Sequence, residues 1–148
     1  MILLDTNVIS ELMKTNRDLR VVDWIDRQRE SGLLTSSVTI AEIRFGIELL
    51  PNGKRKTALG ERAEIVFGWL AGATVSFDAL AARDYGSIAA SRRKQGRPIS
   101  YQDAQIAAIA RSAGLTLATR NTGAFDGIEH LKLVDPWQGE IADRRLTD

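Results

Sequence analysis

Four polar residues stand where an α/β chain places its chemistry. Asp5 follows the apolar run Ile2–Leu4. Glu42 and Asp103 open the helices expected after 33–38 and after Ser100. Asn121 follows the strand expected at 115–119. In a parallel α/β sheet, strand ends and the starts of the following helices share one rim, so these residues can converge although far apart in sequence. Grouped carboxylates repel one another and are unfavourable unless a cation or several hydrogen bonds compensate them. Ionised, they suit a hard divalent cation such as Mg²⁺ or Mn²⁺. Such an ion can activate water and offset charge building on a phosphate, so phosphodiester hydrolysis by this route needs no protein nucleophile.

The rest of the composition narrows the choice. The 148 residues include no cysteine and one histidine, His130, which removes thiolate sites and zinc sites built on several imidazoles. A formal net charge of +1 is too balanced for a general nucleic-acid coat, but it leaves room for a local basic patch. The opening residues carry no basic lead and only a short apolar run. No later stretch reaches the roughly 20 apolar residues of a membrane span. A cytoplasmic protein with no membrane attachment is expected.

Each candidate also has a plainer explanation. Thr39-Ile40-Ala41-Glu42 and Ser100-Tyr101-Gln102-Asp103 both fit the capping box or its near relative, and Asp5 could cap its own helix. An acid after an apolar first strand also occurs in phosphatase and receiver folds. The phosphatases usually carry a second Asp two residues on, where this chain has Asn7, and receivers show an acidic pair that is absent here. Thr6 could orient Asp5 or simply start a helix. Thr119 could bond a phosphate or the acids, or be a buried strand-end threonine. Arg92, Arg93 and Arg97 could grip an RNA backbone, or they could complement a helix C-terminus in solvent.

The elements that must position these residues alternate. Strands are expected at 2–4, 33–38, 73–77, 115–119 and 131–134. Helices are expected from Asp5 to Met13, from an Asp18 cap to Gly32, from a Thr39 cap to Leu50, over 54–70, from an Asp78 cap to Gly96, and from a Ser100 cap to Ala113. The pattern predicts one α/β domain over 1–138, a three-layer α/β/α sandwich on a mostly parallel sheet of about five strands, followed by a polar tail at 139–148.

Taken together, the motifs resemble a known family. Asp5-Thr6-Asn7-Val8-Ile9-Ser10, Ala41-Glu42-Ile43-Arg44-Phe45-Gly46, Asp103-Ala104-Gln105-Ile106-Ala107-Ala108 and Ala118-Thr119-Arg120-Asn121-Thr122-Gly123-Ala124-Phe125 look like the four motifs of PIN-domain ribonuclease toxins of the VapC type. The turn Asn52-Gly53-Lys54-Arg55-Lys56 and the ending Asp135-Pro136-Trp137 are similar to the FitB-like branch. The resemblance implies a Mg²⁺- or Mn²⁺-dependent endoribonuclease, a homodimer, and a cognate antitoxin that is itself DNA-binding. It implies Asp5, Glu42 and Asp103 as acidic ligands. Asn121 departs from it, because many relatives carry Asp there; Asp126 is nearby, but its spacing is not the family's. The alternative is a catalytically weak PIN-like module that acts mainly as partner of a DNA-binding antitoxin.

Overall fold

The structure is a computed structural model describing residues 1–138; the expected tail at 139–148 lies outside the described residues. Five strands form one parallel sheet: β1 Ile2–Leu4, β2 Leu33–Ser36, β3 Thr74–Val75, β4 Thr116–Ala118 and β5 Leu133–Val134, in the order β3-β2-β1-β4-β5. The chain runs outward from β1 to β3 on one side, then returns to place β4 on the other side of β1. Strand order therefore reverses between β1 and β4, and ligands of open α/β sheets bind beyond the strand C-termini at such a point.

Side chains alternate across β1. Ile2 and Leu4 join a core with α1 (Thr6–Leu12), α2 (Leu19–Gln28), α3 (Ser37–Glu48) and α4 (Lys54–Trp69). Leu3 faces the other way, into a core with α5 (Ala79–Lys94) and α6 (Tyr101–Ser112). Both faces of the sheet are thus covered, which explains why β1 is apolar throughout rather than alternating. Each fully buried Leu or Ile contributes about 1.5–3 kcal/mol. Ala104, Ala107, Ala108 and Ala110 are completely buried, and this small-residue face lets α6 lie close against the sheet.

Caps at Asp18, Asp78 and Ser100 form as the sequence predicts, each side chain accepting a main-chain N–H of its own helix. The start of α3 differs. Ser36, not Thr39, is its cap, with Ser36 Oγ accepting the Thr39 N–H at 3.0 Å. The helix therefore begins at Ser37, β2 ends at Ser36, and Glu42 lies in the second turn rather than the first. A short helix α7, Thr122–Phe125, was not expected and follows Asn121 directly. Among the described residues no helix is long and apolar enough to cross a membrane.

Candidate active site

Asp5, Thr6, Asn7, Glu42, Asp103 and Asn121 line a single cleft with a volume of about 460 Å³. It lies at the C-terminal edge of the sheet, at the β1/β4 reversal. A second hollow of about 450 Å³, walled by Leu4, Leu12, Trp69 and Leu70, is more apolar and carries a single acid, Asp26, in place of a cluster.

The β1/β4 junction builds one wall. Asp5 is 4% exposed. Its Oδ1 accepts the Thr6 N–H at 2.8 Å, which caps α1. Its Oδ2 accepts the Thr119 hydroxyl at 2.7 Å and the Asn7 side-chain amide at 3.3 Å. Thr119 Oγ1 in turn accepts from Asn7 Nδ2 at 3.2 Å and from the Asn121 N–H at 3.1 Å, while Asn7 Oδ1 accepts the Arg120 N–H at 3.2 Å. One closed set of bonds thus fixes the Asp5 carboxylate and the turn carrying Arg120 and Asn121. Thr119 is both a fully buried strand-end threonine and a partner of the acid Asp5; it does not line the cleft, so its expected contact with a phosphate is corrected. Asn7 and Arg120 carried no expected role. The Asp-x-Asn spacing at the β1 end was the one available signal for Asn7.

The opposite wall is looser. Thr6 Oγ1 donates to Glu42 Oε1 at 3.3 Å and shares a hydrogen bond with Thr39 Oγ1 at 3.1 Å. Asp103 sits in the first turn of α6; its N–H is held by Ser100 Oγ at 3.1 Å, and among the described residues no side-chain hydrogen bond restrains its carboxylate. Thr6 therefore both begins α1 and bridges to Glu42.

The charges reflect the crowding. Burial, foremost, raises the Asp5 carboxyl above its ordinary value; the bonds from Thr119 and Thr6 oppose this, and the charge of Asp103 adds to it. Glu42 is raised first by burial, then by the charge of Asp5, with Thr6 opposing and Asp103 adding a little. Among the described residues, no three acidic or imidazole side chains stand close enough to close a metal cage on their own. That arrangement still suits Mg²⁺, which is commonly held by one or two carboxylates, waters and substrate phosphates rather than by an all-protein cage. The donor set, all carboxylate and amide oxygens around a buried acid that resists ionisation, fits a hard divalent cation.

The basic run does not reach this cleft. Arg92 is 5% exposed, and its guanidinium donates to the Arg97 carbonyl from Nε and to the Asp126 carbonyl from Nη1, both at 2.8 Å. It staples the end of α5 to the loop after α7, so its expected contact with RNA is corrected: a side chain buried on two carbonyls cannot meet a phosphate. Arg93 and Arg97 are exposed, and Arg97 Nη2 approaches the Gly123 carbonyl at 3.5 Å. Asp126 does not line the cleft.

A family model described as PIN domain matches residues 2–131. The chain is 42% identical over 139 residues to the VapC ribonuclease Y4jK of Sinorhizobium fredii, across 93% of this chain and 99% of that one. It is 41% identical over 138 residues to the toxin FitB of Neisseria gonorrhoeae, again across 93% and 99%. Its fold matches a FitAB complex bound to a DNA fragment with a TM-score of 0.83 and 40% identity, across 93% of this chain and 96% of that one.

Proposed function

The chain belongs to the PIN-domain family, and from that premise we propose that it is the ribonuclease toxin of a type II toxin–antitoxin pair, hydrolysing RNA phosphodiester bonds in the cytoplasm at a Mg²⁺- or Mn²⁺-dependent acidic cleft. The observation that carries this reading is the buried Asp5 carboxylate, fixed by three donors and facing the charges of Glu42 and Asp103. Relatives named as a VapC ribonuclease and a toxin support the activity, and a relative seen as a FitAB complex on DNA supports a DNA-binding antitoxin as partner.

Asp5 and Asp103 would be the principal ligands of the ion, with Glu42 the third. When bound, the ion supplies activation of water for attack and neutralises charge developing on the phosphate. The protein's own groups do the rest. Thr119 and Asn7 keep Asp5 in one orientation. Thr6 aims Glu42 at the cleft, where it is suited to position the attacking water. Asn121 presents a neutral amide oxygen or hydrogen bond at the rim. Phe45, Leu49 and Tyr101 are exposed on neighbouring helices α3 and α6, an apolar face that a homodimer would cover.

Purified protein is expected to cut single-stranded RNA with Mn²⁺ or Mg²⁺ and to stop in EDTA. Asp5→Asn or Asp103→Asn should lower cleavage by more than about a hundredfold, beyond the 10–100-fold typical of losing a group that merely supports a ligand. Substantial cleavage by folded Asp5→Asn protein would sink the mechanism.

A further inference from the structure

The cleft must accept a polyanion, yet its acids repel one. Among the described residues lining it, Lys14 and Arg120 are the cations. Lys14 is committed: its Nζ lies 2.6 Å from the largely buried Glu11 carboxylate. Arg120 is exposed, and no carboxylate among the described residues forms an ion pair with it. Asp18 feels its charge only as the weakest of several influences.

Arg120 is nevertheless held in place at both ends. Its main-chain N–H is fixed by Asn7 Oδ1. Its guanidinium lies over the Trp137 ring, 5.0 Å from the ring centroid. Trp137 is itself only 5% exposed, and its N–H donates to Asp135 Oδ1 at 2.9 Å, so the platform is part of the core. A guanidinium stacked on an aromatic face keeps its edge donors available, and that fork matches a phosphate. Because the same turn carries Thr119 and Asn121, the cation is set at a fixed offset from Asp5.

Resting on the ribonuclease reading above, we propose that Arg120, braced on Trp137, binds a backbone phosphate of single-stranded RNA at the mouth of the acidic cleft and sets the strand's register against Asp5 and Asp103. It takes the role that the run Arg92, Arg93 and Arg97 was expected to fill, from a position that lines the site.

The test uses the full chain carrying Asp103→Asn, so that RNA is not cut, and a labelled single-stranded RNA of mixed sequence. Binding is followed by fluorescence anisotropy in EDTA between about 50 and 200 mM salt. Adding Arg120→Gln is expected to weaken binding and to flatten the plot of log affinity against log salt by about 0.7, the value for one lost phosphate contact on a single strand. Arg120→Lys keeps the charge and should keep the slope. Lys132→Ala, the same loss of charge just before the N-terminal end of β5 and so at the end of the sheet opposite the cleft, should leave the slope as it was. If Arg120 only covers Trp137, Arg120→Gln lowers the melting temperature and leaves the slope at the control value, which overturns the proposal. A guanidinium that serves a protein partner alone leaves the slope unchanged as well, and overturns it too. If the wild-type chain neither cuts RNA nor, as Asp103→Asn, binds it, the ribonuclease reading falls and takes this one with it. If it cuts and binds RNA but the Arg120→Gln slope is unchanged, only the assignment of Arg120 fails.

Discussion

The two walls of the cleft are built on different principles. On the β1/β4 side, Asp5, Asn7, Thr119 and the N–H groups of Arg120 and Asn121 form a closed hydrogen-bonded unit around one buried carboxylate. On the α3/α6 side, among the described residues, Glu42 is touched by one hydroxyl and the Asp103 carboxylate has no side-chain hydrogen-bond partner. The difference teaches a division of labour. Asp5, the first ligand in the reading proposed above, is oriented before any cation would arrive, at the cost of burying an acid against its preference. The others stay half-buried and free to adjust to what binds. Groups that orient a ligand are typically worth about 10–100-fold in metal affinity or activity.

Breaking the rigid wall should therefore cost more than disturbing the loose one. Thr119→Val removes the shortest bond to Asp5 and leaves Asn7 and the Asn121 N–H facing a methyl group. Metal affinity, read by calorimetry without RNA, and cleavage should both fall by roughly 10–100-fold. Ser100→Ala takes away a cap on the other wall and should cost about 1 kcal/mol of stability, read by denaturant unfolding, with metal affinity nearly unchanged. Equal losses of metal affinity in the two variants would erase the distinction between the walls.

A smaller effect sharpens the comparison through stability. Burial raises the Asp5 carboxyl, so the folded state favours the protonated acid more than the unfolded chain does. Ionisation then lowers stability: this group's contribution is fully present below the ordinary aspartate range and is lost as pH rises through the raised folded value. In EDTA near pH 7, Asp5→Asn should melt a few degrees above wild type. Its amide oxygen can keep the donors of one side only, accepting either from Thr6 or from Thr119 and Asn7, so the lost bonds offset part of the gain from removing the buried charge. The gap should close as pH falls into the ordinary carboxylate range. A variant that melts below wild type at pH 7 would mean that the hydrogen bonds outweigh burial at this position.

The same contrast marks what could be read from the sequence. The sheet, the two-sided burial and the caps at Asp18, Asp78 and Ser100 rest on short-range patterns and were legible. The start of α3 was not, because Ser36 and Thr39 are both good caps and β-branched Val38 suits a strand; only the bond from the Thr39 N–H to Ser36 decides between them. The edge strands β3 and β5 are shorter than their apolar runs, since each pairs on one side only. Of the site, Asp5, Glu42 and Asp103 stood out because Asp5 ends an apolar strand, the other two stand near helix starts, and all three lie in motifs that resemble a known family. Asn7 and Arg120 did not, since their partners are 112 and 113 residues away. Within the basic run nothing local says which arginine turns inward, and Arg92 did so because two carbonyls, one 34 residues distant, were there to receive it.

Asn121, carried by the turn that the rigid wall holds, tests whether that wall lacks a charge. Its N–H is bound to Thr119, but its side chain makes no capping bond to α7 and stands exposed at the cleft. Asp5, Glu42 and Asp103 bring three negative charges, which suffice for one divalent ion. A pair of ions about 3.5–4 Å apart, as in two-metal nucleases, is better supported by a fourth. A neutral amide oxygen is a weaker ligand for a hard cation that gives up its waters reluctantly. One resident ion is therefore expected without RNA, with any second joining only when a substrate phosphate adds charge. Asn121→Asp should tighten Mn²⁺ binding in calorimetry without RNA and lower the Mn²⁺ concentration for half-maximal cleavage by a modest factor. Asp126 is not a substitute, because its carbonyl is pinned by Arg92 and it does not line the cleft; Asp126→Ala should leave the titration unchanged. If wild type already binds two Mn²⁺ ions without RNA, or if Asn121→Asp leaves the titration untouched, the amide is not what limits the site.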